Sequence, residues 1–540
     1  MTLSGQIVDI IKQRIYPGEI LIEEGNIIKL THLESAPPHY LLPGFIDAHV
    51  HVESSMLTPA AFGRKAVCHG TIATVSDPHE IANVLGVEGV EYMIENGKKI
   101  PFKFYFGAPS CVPATSFETA GAHLGPKQIE DLLDRKEIYY LAEMMNYPGV
   151  LHKDPEVMEK LKLAREANKP IDGHAPGLRG DAAATYTHAG ISTDHEAFTY
   201  QEAREKLELG MKILIREGSA AKNFEALIDL LPIYPDHIMF CSDDKHPDDL
   251  MEGHINQLVK RALDREIDLF QVLRAASLNP KLHYGLETGL LQEGDSADFI
   301  LVKDLKSLEI IETYIEGQCV FEHGVSRIPM VEADVINQFK ADTFSPEAFT
   351  VQDEGKRIRV IEAIEGELIT KSGFYQPKVL AGKILSDTEK DILKITVVNR
   401  YEKAPPAVAF IKNFGLQRGA IASSVAHDSH NVIAVGVEDE ALTEAVNAVI
   451  AHHGGIAVYD GEHTEVLPLP IGGLMSPDSA ETVSQQYQQL NQVVKEIGSP
   501  LHAPFMTLSF MALLVIPSLK LSDKGLFDGD KFEFVSLFEE

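Results

Sequence analysis

The stretch Leu41-Leu42-Pro43-Gly44-Phe45-Ile46-Asp47-Ala48-His49-Val50-His51 decides how the rest of the chain is read. Pro43-Gly44 bounds an apolar run that predicts a buried strand. Side chains alternate along a strand, so His49 and His51 share one side of it. Two imidazoles converging at the C-terminal end of a buried strand suit a divalent metal. Alone, an H-x-H pair is weak, because many such pairs are ordinary surface histidines. It gains force only if further ligands follow at later strand ends.

They do follow. Strand-like runs at 71–76, 104–108, 139–144, 170–173, 190–193, 212–216 and 237–241 alternate with helical segments such as 155–167 and 201–209. With the strand before His49 they make eight repeats between residues 43 and 290, the length of a TIM-type (β/α)8 barrel in an α/β fold. Catalytic groups of such barrels sit at the C-terminal strand ends. Glu143 ends the fourth strand, His174 the fifth, His195 the sixth and Asp243 the eighth. A glutamate among apolar neighbours, as Glu143 is, would be costly to bury without a partner. The four imidazoles and two carboxylates are enough for two divalent ions if Glu143 bridges them. A mixed imidazole and carboxylate set without thiolate suits Zn²⁺, Fe²⁺ or Mn²⁺.

Outside the barrel, residues 1–42 contain a hairpin turning at Gly25-Asn26. Strand character returns at 297–302 and 310–320, so the flanks 1–42 and 291–335 are expected to pair as one small β-domain. Residues 340–540 form a C-terminal α+β domain, with a helical run at 440–452. There, His427-Asp428-Ser429-His430 reads first as a surface turn, with metal binding or a reach into the active site as the alternatives, and His427→Ala is expected to cost little. His452-His453 reads as a helix C-terminus. Gly472-Gly473 lacks a following lysine and serine, so no P-loop is signalled. His51-x-Glu53 lacks the P-C-x-x-C of zinc nucleobase deaminases.

Charge bounds the partners. Lys and Arg number 48 against 80 Asp and Glu, a net −32, which opposes binding to nucleic acid and to anionic membranes and favours a neutral or cationic small molecule. The four cysteines form no C-x-x-C, and no apolar run approaches a span of ~20 residues. A cytoplasmic location and a homo-oligomer are expected.

The ordered ligand set resembles the amidohydrolase superfamily, as does the barrel exit at Asn279-Pro280, Gly285-Leu286 and Ala297-Asp298-Phe299. Within it, five stretches resemble the adenine deaminase family: His49-Val50-His51-Val52-Glu53-Ser54-Ser55, Asp77-Pro78-His79-Glu80-Ile81-Ala82-Asn83-Val84, Asp172-Gly173-His174-Ala175-Pro176-Gly177, Thr193-Asp194-His195-Glu196 and Cys241-Ser242-Asp243-Asp244-Lys245-His246-Pro247. Residues 419–434 and 467–475 resemble that family's C-terminal domain.

The resemblance implies hydrolytic deamination of adenine to hypoxanthine and ammonia in purine salvage or catabolism, with hydroxide from a metal-shared water adding at C6. It implies two ions per chain, Mn²⁺ first and Fe²⁺ or Zn²⁺ as alternatives, on His49, His51, Glu143, His174, His195 and Asp243. Glu143 stands where related binuclear enzymes use a carboxylated lysine. Asp243 is the expected proton-transfer group, and His79, Glu196 and Asp244 are candidates to hold or shuttle protons on the purine edge. Plainer roles stay open: Asp244 as a helix cap, His79-Glu80 as a solvated turn. Arg179 and Ser55 are candidate substrate contacts. The alternatives are another amidohydrolase reaction, such as cyclic amide opening or N-deacetylation, and a non-catalytic scaffold.

Overall fold

The strand leading into His49 is buried at every residue, Phe45 to Val50, and seven more strands follow in parallel around it. The computed structural model describes residues 1–539. The strands are Phe45–Val50, Thr71–Ser76, Lys103–Ala108, Ile138–Met144, Ile171–Gly173, Thr193–Asp194, Lys212–Arg216 and Ile238–Cys241. The first five form one parallel arc and the last three another. At one seam Ser192 N donates to Ile171 O at 2.9 Å; at the other Asp243 N donates to His49 O at 2.9 Å. The arcs thereby close into a TIM-like ring. Its strands are almost continuously apolar because helices cover the outer face and side chains fill the interior.

Local chemistry sets the helix starts. Asp154 accepts from the Glu156 and Val157 amides and Pro155 takes the first helical position, so the helix runs Pro155–Glu166. Thr199 caps Tyr200–Glu208 in the same way. The sixth strand is the main departure from the predicted 190–193. It is only Thr193–Asp194, because Gly190 takes φ +101° to end the preceding helix.

Strands from both ends of the barrel segment share one eight-stranded sheet. In spatial order these are Val325–Ser326, Gln318–Glu322, Ile310–Ile315, Phe299–Val302, Tyr40–Pro43, Thr2–Asp9, Arg14–Glu23 and Asn26–His32. Tyr40–Pro43 sits between Thr2–Asp9 and Phe299–Val302, so the approach to His49 is anchored centrally in that sheet.

A second eight-stranded sheet lies in the C-terminal part, from Thr370–Tyr375 at one edge to Thr464–Pro468 at the other. Helix Asp439–Ala451 buries Leu442, Val446 and Val449 with residues of this sheet. The opposite face shares one apolar cluster with the barrel helices and strands. Backbone links, such as Ser476 N to Met56 O at 2.8 Å, tie it to the barrel loops. No described helix is long and apolar enough to cross a membrane.

Lys520 gives this C-terminal part a pH dependence. Its ammonium is buried, donates to Leu368 O at 2.6 Å and Phe510 O at 2.9 Å, and forms no ion pair among the described residues. Burial lowers its pKa to about 7. Between that value and the ordinary lysine value the unfolded chain binds more protons than the folded one, so stability rises with pH across that window. Lys520→Met is expected to flatten this rise. Urea midpoints of both proteins from pH 6 to 10 check it; parallel curves would contradict it.

Candidate active site

Six candidate ligands meet at the C-terminal rim of the barrel, delivered by the ends of five strands, the first of which supplies both His49 and His51. His49 Nε2 lies 3.2 Å from His51 Nε2. Glu143 splits its two oxygens: Oε1 is 3.4 Å from His51 Nε2, whereas Oε2 is 2.8 Å from His174 Nδ1 and 3.1 Å from His195 Nε2. Asp243 Oδ1 stands 3.2 Å from His51 Nε2 and 3.8 Å from His49 Nε2. The His49 and His195 rings stack at 4.2 Å. All six residues are buried.

Backbone details aim these groups. His51 Nδ1 faces Asp77 O at 3.2 Å; donating there leaves the Nε2 lone pair for the centre. A Cβ on Gly173 would lie 2.4 Å from Thr193 O, so glycine lets the strands carrying His174 and His195 close up. Asp243 sits at φ +54°, a left-handed conformation that aspartate tolerates better than most residues, while its amide closes the barrel seam.

The donor set fits divalent cations. Two buried imidazole nitrogens face one another at 3.2 Å beside two carboxylates, an arrangement of converging lone pairs that a cation satisfies. Burial, then the neighbouring His195 and His51, pushes the His49 pKa well below the ordinary value, so His49 is a neutral imidazole. Burial pulls the Glu143 carboxyl up, but His174 and His195 more than offset this and hold it ionised.

The remaining predicted residues sort differently. His79 is buried, not part of a solvated turn. Its Nδ1 is 3.1 Å from Asp77 Oδ2, off hydrogen-bond alignment, and its Nε2 is 3.4 Å from Glu80 Oε1. Glu80 is buried too. Asp244 caps no helix: the next one starts after His246, and Asp244 Oδ1 accepts from Ser54 Oγ at 2.5 Å. Burial, then the Asp243 charge, raises its pKa. Arg179 is half-exposed and pairs with Glu205, away from the cleft. Ser55 donates to Val52 O at 2.6 Å and does not line the cleft.

One group escaped sequence reasoning and a second was assigned elsewhere. Arg216, on the seventh strand, is buried between Glu196 and Asp243. Its Nη1 donates to Glu196 Oε1 and Asp243 Oδ2, and its Nη2 to Glu196 Oε2 at 3.1 Å. Both Glu196 oxygens are thus engaged. A buried charge at a strand end was the available signal.

The second group overturns a prediction. His427-Asp428-Ser429-His430 is no surface turn; all four residues are buried. His427 Nδ1 and His430 Nε2 both bond Glu80, and His427 and Asp428 line the cleft with Leu368, Phe510 and Leu513. The C-terminal part therefore forms one wall of the site, and an inert His427→Ala is no longer expected.

Residues 40–320 match the amidohydrolase family model, and residues 367–533 match that of the adenine deaminase C-terminal domain. The chain is 56% identical over 539 residues to the adenine deaminase of Salinibacter ruber, covering 99% of each chain. It is 53% identical over 549 residues to that of Methanosarcina mazei, again covering 99% of each. A crystal structure of a beta-aspartyl dipeptidase from Fervidobacterium islandicum aligns with TM-score 0.47 and 16% identity, over 61% of this chain and 99% of that one.

Proposed function

Because this chain belongs to the adenine deaminase family of the amidohydrolases and deaminates adenine, we propose that the reaction runs at two divalent cations held by His49, His51, Glu143, His174, His195 and Asp243. The observation that carries this is the split of Glu143, one oxygen toward His51 and the other toward His174 and His195. Mn²⁺ is the first choice of metal, with Fe²⁺ and Zn²⁺ compatible with the same donors. Such ions lower the pKa of a shared water toward neutrality and so supply hydroxide for C6 of the purine.

The chain's own groups move the protons. Asp243 Oδ2 is engaged by Arg216, so Oδ1, facing the histidines, is the oxygen placed to accept the proton of the attacking water. Asp244, whose raised pKa keeps it protonated further up the pH scale than an ordinary aspartate, delivers a proton to N1. The proton taken up by Asp243 passes to the C6 amine, the C6–N bond breaks to release ammonia, and the C6 hydroxyl returns a proton to Asp244, leaving the carbonyl of hypoxanthine. His79 stays a proton-holding candidate, braced by Asp77 and Glu80. Glu196 acts through Arg216 and positions it.

The same reading divides the chain into a barrel at 43–290, a small β-domain from 1–42 and 291–335, and a C-terminal domain at 340–540. Four unpaired cysteines suit the reducing cytoplasm. Ile11 and Ile15, 48% and 40% exposed at the turn joining Thr2–Asp9 to Arg14–Glu23, offer a surface for a homo-oligomer. Reconstitution with Mn²⁺, Fe²⁺ or Zn²⁺ followed by adenine tests the central reading: equimolar hypoxanthine and ammonia are expected with two bound ions. Full turnover from metal-stripped protein would overturn the metal assignment.

A further inference from the structure

The C-terminal part places an adjacent donor and acceptor in the cleft. Glu80 accepts from both His427 Nδ1 and His430 Nε2, and the Ala426 amide donates to His430 Nδ1 at 3.2 Å. His430 is thereby fixed as a neutral brace. His427 stacks on Phe510 at 4.8 Å and gives its Nδ1–H to Glu80; burial lowers its pKa, but Glu80 and Asp244 more than offset this and raise it to about 9, so the ring is an imidazolium whose Nε2–H is left for the cleft. Next to it, Asp428 is 3% exposed, and its buried Oδ2 has no hydrogen-bond partner among the described residues. Its other oxygen is 3.9 Å from His79 Nε2, on the far side of that ring from Glu143.

A buried carboxylate oxygen without a donor is costly until something supplies one. Free adenine presents an acceptor, N3, beside a donor, N9–H, on the end of the purine remote from C6. We propose that His427 and Asp428 read this N3/N9–H edge, His427 Nε2–H donating to N3 and Asp428 accepting from N9–H, so that the enzyme rejects purines substituted at N9. The proposal rests on adenine as substrate. A nucleoside has no hydrogen at N9 and brings a bulky group to the same carboxylate, leaving Asp428 unpaired.

The test uses full-length, Mn²⁺-loaded wild type, Asp428→Asn and His427→Gln, with adenine and 9-methyladenine as substrates. A site that pairs a substrate N–H rejects the analogue lacking it by about 10⁴-fold, so wild type is expected to prefer adenine on that scale. Asp428→Asn is expected to lose about 10²-fold of kcat/KM on adenine, with little change on 9-methyladenine. An Asp428→Asn protein with wild-type metal content and the wild-type preference ratio would overturn the proposal. If that variant fails to fold, wild-type titration with hypoxanthine and 9-methylhypoxanthine decides it: equal affinities overturn it, and a large preference for hypoxanthine supports it. Wild type with no adenine turnover would instead fail the substrate reading, and the titration would still decide this edge.

Discussion

Glu143→Gln is expected to leave the barrel folded and to lower kcat/KM for adenine by on the order of 10³-fold, the scale on which loss of a positioned proton-transfer or electrostatic group is felt. The amide is isosteric, and the backbone bonds from Ser110 Oγ to Glu143 O and from Tyr186 Oη to Met144 O stay. What changes is charge: only one end of an amide is an acceptor, whereas the carboxylate faces His51 with one oxygen and His174 and His195 with the other. A single cation, or one well-held and one weakly held, is the expected metal content. Inductively coupled plasma analysis of the dialysed variant, beside its adenine kinetics, checks both. Two tightly held ions with near-normal turnover would remove Glu143 from the bridge.

Arg216→Met carries the largest expected effect on stability. Glu196 and Asp243 are buried, and Arg216 is the cation between them. Removing one member of such a cluster leaves uncompensated buried charge, which costs about 3–5 kcal/mol. The loss should appear as a lower denaturant midpoint in metal-free protein, where no bound metal adds to the histidines in shielding Asp243. In metal-loaded protein Asp243 loses a brace without losing its carboxylate. Turnover is then expected to fall by about 10–100-fold, as for loss of an outer partner of a metal ligand. An unchanged midpoint would mean that the two carboxylates repel little or hold a proton in the native state.

The barrel was readable because two periodicities agree. Apolar runs of four to seven residues end in histidine, glutamate or aspartate, and helices with their own caps separate them. Glu143 illustrates this: the strand Ile138–Met144 is apolar around it, so its charge is explained only by what it faces. Thr193–Asp194 was harder, because two residues carry little pattern and the boundary is set by a glycine conformation. Arg216 was passed over because its partners, Glu196 and Asp243, lie 20 and 27 residues away and meet it only when the barrel closes. The segment around His427 was misread for the same reason on a larger scale. Glu80 and His427 are 347 residues apart, and a polar turn whose partner is that distant has the local composition of a surface loop.

Anomalous diffraction from Mn²⁺-soaked crystals tests the central claim most directly. Two manganese peaks are expected, one in contact with each oxygen of Glu143, the first also ligated by His49, His51 and Asp243 and the second by His174 and His195. A single peak, or two peaks with Glu143 coordinated to neither, would contradict it.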